Sequence, residues 1–247
     1  MKYTSINIQG NLISEDILKK IEKGEKAYVC VAPVSTIVDC QKDKKYKDIV
    51  NGAFMVTPDG MPVVWMAKLK GKKKIQRTYG QELMFKICEA GQKYNLRHYF
   101  FGGTQETNKK LIERLKEKFV SLNIVGHYAP GLRAVNEKEP EDVLSAINMA
   151  QPDILWVGLG SPKQDYWMAN HRELLNVPVM VGVGAAFDFI AGVKKQAPQW
   201  MRQSGLEWLF RLCCEPKRLW KRYLVGNSMF LWLLLLEMCH VKRTKRI

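Results

Sequence analysis

The strongest constraint on this chain is a rhythm, in which short apolar segments alternate with longer amphipathic ones. The segments "AYVCVAP" (Ala27 to Pro33), "AFMVTP" (Ala53 to Pro58), "RHYFFGG" (Arg97 to Gly103), "NIVGHY" (Asn123 to Tyr128), "DILWVGLG" (Asp153 to Gly160) and "PVMVGVG" (Pro178 to Gly184) read as strands. Several are apolar nearly throughout, as parallel strands are when helices cover both faces of their sheet. Between them, stretches such as "TNKKLIERLKEKFV" and "PEDVLSAINMA" carry helical spacing. Strand, helix, strand in repetition predicts an α/β fold of Rossmann-like type: a mostly parallel sheet with helices on both faces. The 247 residues, 47% of them apolar, suffice for one large domain or a domain with an appendage.

In open α/β sheets, ligands bind beyond the carboxyl ends of the strands. The loops expected there are "TPDG", "FGGTQ", "GLGSPKQ" and "GVGAAFD". Glycine lets backbone N–H groups approach a ligand, and the helix N-termini that follow favour anions. A tight turn accounts for any one loop alone. Four on one edge point to a phosphate-bearing ligand near Gly102, Gly103, Gly160, Ser161, Lys163 and Gly184. The dinucleotide fingerprint is missing after the first strand, where the chain reads "CVAPVST", and "GVGAAF" carries only its first two glycines, so nicotinamide chemistry has little support. Within "VTPDGMPVVW", Asp59 sits between apolar flanks. Either it caps a helix starting at Gly60, or desolvation raises its pKa and makes it a base.

Charge is unevenly spread. The net charge is +15, and from Lys194 onward twelve Lys/Arg face three acids, Glu207, Glu215 and Glu237. A basic region can serve nucleic acid, anionic lipid or a phosphate-bearing substrate. Here it adjoins "MFLWLLLLEMC" (Met229 to Cys239), well short of the roughly 20 residues a spanning helix needs. With "VKRTKRI" following, the pattern fits a helix lying on an anionic membrane surface. A basic α/β nucleic-acid-binding module with no enzymatic activity is the alternative. We therefore expect a core over residues 1–193 and a helical, basic, membrane-associating appendage over 194–247. In the appendage Pro216 can open a helix on which Arg218 and Arg222 share a face, with Leu219, Trp220 and Tyr223 as its apolar complement. Core packing is expected for Trp200 and Trp208. The six cysteines form no CxxC, which argues against zinc and a disulfide scaffold and for free, mostly buried thiols in a reducing cytoplasm. No secretion signal is read in "MKYTSINIQGNLISED", and His98, His127, His171 and His240 form no spaced pair.

The motifs "TPDGMPVVW", "QRTYGQELM", "GLGSPKQDYW", "GVGAAFDFIAG" and "APQWMRQSGLEWLFRLCCEPKRLWKRY" together resemble the WecG/TagA/CpsF glycosyltransferase family, in consistent order from about Ile21 to the C-terminus. The resemblance implies an inverting enzyme moving a sugar from a UDP-sugar to a polyprenyl-diphosphate-linked sugar. It also implies work at the cytoplasmic membrane face, in teichoic acid or other cell-surface polysaccharide synthesis. By position, Asp59 matches the family's proposed catalytic base, Arg77 the active-site cleft arginine after it, and Gln164 the glutamine of the SPKQ segment near the reacting groups, and these three are the expected catalytic residues. Asp188 matches the nucleotide-side loop, and Arg211, Arg218 and Arg222 match the basic appendage thought to contact the diphosphate. Two departures stand out: "VAP" at Val31 to Pro33 replaces a Thr-Pro-Asn stretch, and Asp165 stands where Glu is frequent.

The implied chemistry is consistent with the residues. Inverting transfer needs a base for the acceptor hydroxyl, stabilisation of the leaving diphosphate and exclusion of water. The chain has no D-x-D motif for a metal. Guanidinium groups, which stay charged and bind phosphate oxygens in pairs, can serve instead; a solvated or lipid-facing basic surface is the other use for them. Gln164 is suited to bond hydroxyls or phosphate. No metal and no cofactor is expected, nucleic acid is not an expected partner, and a homo-oligomer is compatible with the pattern.

Overall fold

The computed structural model describes residues 13–131 and 139–244. The amino-terminal residues 1–12, read for a secretion signal, lie outside the described residues, as do the side chains of the basic run 240–247. The strands are β1 (Ala27–Ala32), β2 (Met55–Pro58), β3 (Arg97–Gly102), β4 (Asn123–Tyr128), β5 (Ile154–Gly158) and β6 (Val179–Gly182). All six expected segments are strands, each ending within two residues of its expected end. They form a single sheet in the order β2-β1-β6-β5-β3-β4, parallel at every pairing.

The helices in chain order are α1 (Ile13–Glu22), α2 (Val34–Lys42), α3 (Lys44–Gly52), α4 (Met61–Leu69), α5 (Gly80–Gln92), α6 (Gln105–Lys118), α7 (Glu141–Ala150), α8 (Lys163–His171) and α9 (Ala186–Ile190). The alternation of strand side chains assigns them to two layers. On one face Tyr28, Cys30 and Ala32 of β1 pack with α2, α3 and α8; on the other Val29 and Val31 pack with α5, α6 and α9. Burial on both faces is what the continuous apolar runs require. The edge strand β4 is the exception, half-buried, with His127 exposed.

After Gly192 the chain is helical: α10 (Gln199–Gln203), α11 (Glu207–Cys214), α12 (Pro216–Trp220), a wider π-helical turn over Lys221–Val225, and α13 (Gly226–Thr244). These helices lie on the core. Leu219 is buried, and Phe230 enters the same apolar cluster as β1 and α2. Positions 230, 233 and 237 of α13 face inward, while Leu231, Trp232, Leu235 and Met238 stay exposed. No helix among the described residues is long and apolar enough to cross a membrane. Trp200, expected in the core, is 62% exposed, because α10 is a single short turn with no buried face. The thiols divide evenly: Cys30, Cys40 and Cys88 are buried, and Cys213, Cys214 and Cys239 are exposed on the appendage helices.

Candidate active site

A cleft of about 320 Å³ opens at the carboxyl ends of the strands, between the sheet edge and the appendage. Asp59, Arg77, Gln164, Gly103, Gly160, Ser161, Gly184, Asp188, Arg211, Arg218 and Arg222 all line it. Gly102 and Lys163 do not. Gly102 sits in the left-handed region (φ 126°) with its Cα against the Gly158 backbone, where a Cβ would come within 2.6 Å, so its missing side chain serves strand packing. Lys163 is the first residue of α8, outside the cleft wall.

β2 ends at Pro58, and the chain turns through Asp59 and Gly60 into α4. Gly60 has φ 100°, a conformation that costs other residues strain, and it occupies the helix cap position expected of Asp59. The Asp59 backbone N–H instead donates to the Ala32 carbonyl at 3.0 Å, which pins the residue across the end of β1. Its side chain, 28% exposed, faces Arg77, with Nη2 3.6 Å from Oδ1. Burial raises its pKa above the ordinary carboxylate value, the charge of Glu207 adds to the rise, and Arg77 and Arg211 oppose it. A carboxylate so placed holds a proton more tightly than a solvated one, which is what a base needs.

Arg77 is committed to protein groups. Its Nη2 meets Glu207 Oε2 at 2.5 Å, and its Nη1 donates to the Arg202 carbonyl at 3.1 Å. Its guanidinium lies over the Tyr79 ring at 4.7 Å, and Arg202 lies over the same ring while donating to its hydroxyl at 2.7 Å. Arg77 thus joins two carboxylates, Asp59 from the core and Glu207 from the appendage. Sequence reasoning gave Glu207 no role, although it is the sole acid between Lys194 and Glu215 in a strongly basic stretch.

Gln164 faces inward as well. At 2% exposure, its carbonyl oxygen accepts from the N–H groups of Gly160 (3.1 Å) and Gly184 (2.9 Å), and its Nε2 donates to Ser161 Oγ (3.3 Å). Two backbone N–H groups expected to meet a ligand are therefore bound to Gln164, which staples the β5 loop to the β6 loop. Below it Asp165 is buried and accepts from the Tyr46 hydroxyl at 2.7 Å; burial raises its pKa, and the Tyr46 and Ser161 hydroxyls oppose the rise.

The appendage arginines differ in what they already hold. Arg218 pairs with Glu215, which also lies 3.8 Å from Lys194. Lys194 in turn pairs with Asp188 at 2.7 Å, so the Asp188 carboxylate faces a cation. Arg222 donates to Ser35 Oγ at 2.6 Å, and burial lowers its pKa, though an arginine stays charged. Arg211 lies over the Phe189 ring at 5.6 Å and has no carboxylate at ion-pair distance among the described residues. Trp208, expected in the core, lines the cleft and packs tilted against Tyr223, ring centroids 6.2 Å apart. A carboxylate disposed toward proton capture thus faces a wall with one uncommitted guanidinium and others held beside it. Among the described residues no cluster of three or more His, Cys, Asp or Glu side chains is placed to hold a metal ion.

The profile of the glycosyl transferase WecG/TagA/CpsF family matches residues 3–244. Similar proteins include N-acetylglucosaminyldiphosphoundecaprenol N-acetyl-beta-D-mannosaminyltransferases from three bacteria. That of Bacillus spizizenii is 29% identical over 204 residues, covering 83% of this chain and 77% of the relative. That of Bacillus subtilis is 31% identical over 183 residues, covering 74% and 69%. That of Staphylococcus aureus (strain MRSA252) is 28% identical over 174 residues, covering 70% and 66%. A nucleic-acid module without transferase chemistry is set aside by an alignment that spans both the sheet and the appendage. The chain belongs to the WecG/TagA/CpsF family and is a glycosyltransferase.

Proposed function

We propose that this enzyme transfers a sugar, N-acetylmannosamine-type or another hexose, from a UDP-sugar to a polyprenyl-diphosphate-linked sugar. The transfer proceeds with inversion and without a metal ion, in building a cell-surface polysaccharide or teichoic acid. The observation that carries the reading is the pairing of a proton-avid Asp59 with a guanidinium wall across one cleft. The relatives, N-acetylmannosaminyltransferases that act on N-acetylglucosaminyldiphosphoundecaprenol, suggest the sugar and acceptor classes.

In this reading Asp59 takes the proton of the acceptor hydroxyl. The oxygen attacks the anomeric carbon on the face opposite the nucleotide, and the bond to the diphosphate oxygen breaks with its electron pair leaving on UDP. Arg211, Arg218 and Arg222 receive that charge, Arg211 most directly because no carboxylate among the described residues lies at ion-pair distance from it. Arg77 and Gln164 are positioning residues, one for Asp59 and the other for the two glycine loops. The acceptor lipid resides in a bilayer, so the enzyme works as a peripheral protein at the cytoplasmic face of the cell membrane. The exposed apolar side of α13 supports that placement.

The test is UDP release by purified protein with lipid vesicles, across a panel of UDP-sugars, with and without a polyprenyl-diphospho-sugar. We expect acceptor-dependent release with an N-acetylmannosamine donor, lost in Asp59→Asn. Release that survives the substitution would remove Asp59 from the chemistry.

A further inference from the structure

The C-terminal end of α4 and the turn after it form an exposed surface that the chemistry above does not use. Trp65 and Leu69 are 47% and 53% exposed, and Lys68, Lys72, Lys73 and Lys74 are exposed beside them. No acid occurs between Asp59 and Glu82. Among the described residues none of these four lysines has a carboxylate at ion-pair distance, whereas Lys70, on the inward side, reaches Glu237 of α13 at 3.8 Å. That contact places the turn against the helix whose outward positions are Leu231, Trp232, Leu235 and Met238. On the other side Trp65 packs at Gly205, where a Cβ would lie 3.1 Å from its ring, next to the exposed Leu206. The turn itself is well formed: Lys72 N–H bonds to Ala67, Ile75 N–H bonds to Lys72, and Ile75 is buried.

An uncompensated cationic turn alone is an ordinary solvated surface. Large apolar side chains left in water on the same helix end, continuous with a second exposed apolar helix face, are not ordinary. Apolar bodies bordered by lysines match a bilayer surface, where the side chains enter the headgroup boundary and the ammonium groups meet lipid phosphates. We propose that Trp65, Leu69 and Lys72 to Lys74 form a membrane contact borne by the catalytic core, adding to that of the adjoining basic appendage, for anionic lipid headgroups. The proposal rests on the membrane placement given under Proposed function. Its consequence is geometric: the turn runs through Ile75 and Gln76 directly to Arg77, so the lipid contact and the cleft share one short segment. The two attachments adjoin through Lys70 and Glu237, so together they hold the segment leading to Arg77 against the bilayer in which the substrate is fixed.

The test is co-sedimentation of the full chain with phosphatidylcholine vesicles, either pure or containing about one third phosphatidylglycerol, at about 0.1 M salt. Wild type is expected to partition onto the anionic vesicles. The triple variant Lys72→Gln/Lys73→Gln/Lys74→Gln is expected to bind them about a hundredfold more weakly, since each basic side chain near an anionic surface contributes roughly a factor of five. Leu69→Ser should weaken binding to both vesicle types, and unchanged thermal unfolding certifies that each variant is folded. If wild type and the triple variant partition equally onto anionic vesicles, the core contact is wrong while the membrane placement stands. If wild type ignores anionic vesicles, both fall. If instead wild type binds duplex DNA and the triple variant does not, the surface belongs to nucleic acid and the proposal is overturned.

Discussion

Asp59 and Glu207 share one guanidinium, and this fixes how each can be tested. With Asp59 as the proposed base, transfer needs it unprotonated, so the rate should fall as pH drops through its pKa, which burial and Glu207 hold above the ordinary carboxylate value. Replacing Glu207 by Gln removes the negative charge that helps raise that pKa and leaves Arg77 with Asp59 as its one carboxylate partner. Both changes lower the pKa of Asp59. The acid limb of the kcat profile for Glu207→Gln should therefore move to lower pH, while Asp59→Asn should lose about a hundredfold or more at pH values above that limb. An acid limb that stays in place would reduce Glu207 to a structural partner of Arg77. The arginines give a second contrast. Among the described residues Arg211 pairs with no carboxylate while Arg218 pairs with Glu215, so Arg211→Ala should raise KM for the UDP-sugar about tenfold or more, in line with the roughly 1.5–3 kcal/mol of a charged hydrogen bond. Arg218→Ala should do less. Equal effects in steady-state kinetics would mean that Glu215 releases Arg218 when substrate arrives.

The loops and helices explain which parts of this protein are legible in its sequence. Five of the six strands are visible because a strand buried on both faces is apolar at nearly every position, and that run survives any detail of packing; the half-buried edge strand β4 is the exception. The placement of the cleft follows from the parallel order alone. What is not legible is side-chain direction. Gln164 reads as a ligand-facing residue because it follows a glycine loop, yet the geometry at β6 turns it inward, onto Gly160 and Gly184. Trp200 reads as core because tryptophan usually is, but a one-turn helix offers it no buried face. Glu207 is hidden because only the fold brings it to Arg77. The Gln164 staple has a measurable consequence. Gln164→Met leaves two backbone N–H groups without a partner, at about 1–3 kcal/mol each. It should lower stability by roughly 2–6 kcal/mol in urea unfolding and raise KM more than it lowers kcat. Gln164→Glu, which keeps the acceptor oxygen, should recover most of both. At the far end of the sheet, His98 Nδ1 accepts from Trp156 Nε1 at 3.0 Å, so its proton sits on the buried Nε2. Burial lowers its pKa to about 4 from 6.5, with Asp153 opposing. The unfolded chain takes up this proton first as pH falls. Stability is thus full above pH 6.5 and is lost between there and about pH 4, by about 3 kcal/mol. Urea midpoints at pH 7 and pH 5 should show that slope in wild type and lack it in His98→Gln.

As a whole molecule the enzyme is a cleft built from two sources. The sheet edge supplies Asp59, Arg77 and the glycine loops, and the helices after Gly192 supply Glu207, Arg211, Arg222 and Tyr223. Neither source makes the cleft alone. The second is packed onto the first as a core element would be: Phe230 enters the apolar cluster over β1 and α2, Leu219 is buried, and Lys194 bridges Asp188 to Glu215. Removing residues from Lys194 onward should therefore abolish transfer, because Arg77 loses Glu207 and the cleft loses the guanidinium wall proposed to receive the leaving diphosphate. It should also lower stability, because the surface under Phe230 is opened to water. Phe230→Ala in the full chain separates these effects. It keeps every cleft residue and loosens only the seating of α13, at a cost of about 3–5 kcal/mol if the cavity does not collapse. If seating matters to chemistry, Phe230→Ala should lose transfer well below its unfolding temperature, and vesicles carrying the polyprenyl acceptor should restore part of it by holding α13 in place. A truncated chain that stays fully active would show that the cleft is complete without the appendage. Full activity in Phe230→Ala, with reduced stability, would show that the helices need only be tethered nearby and that substrate closes them.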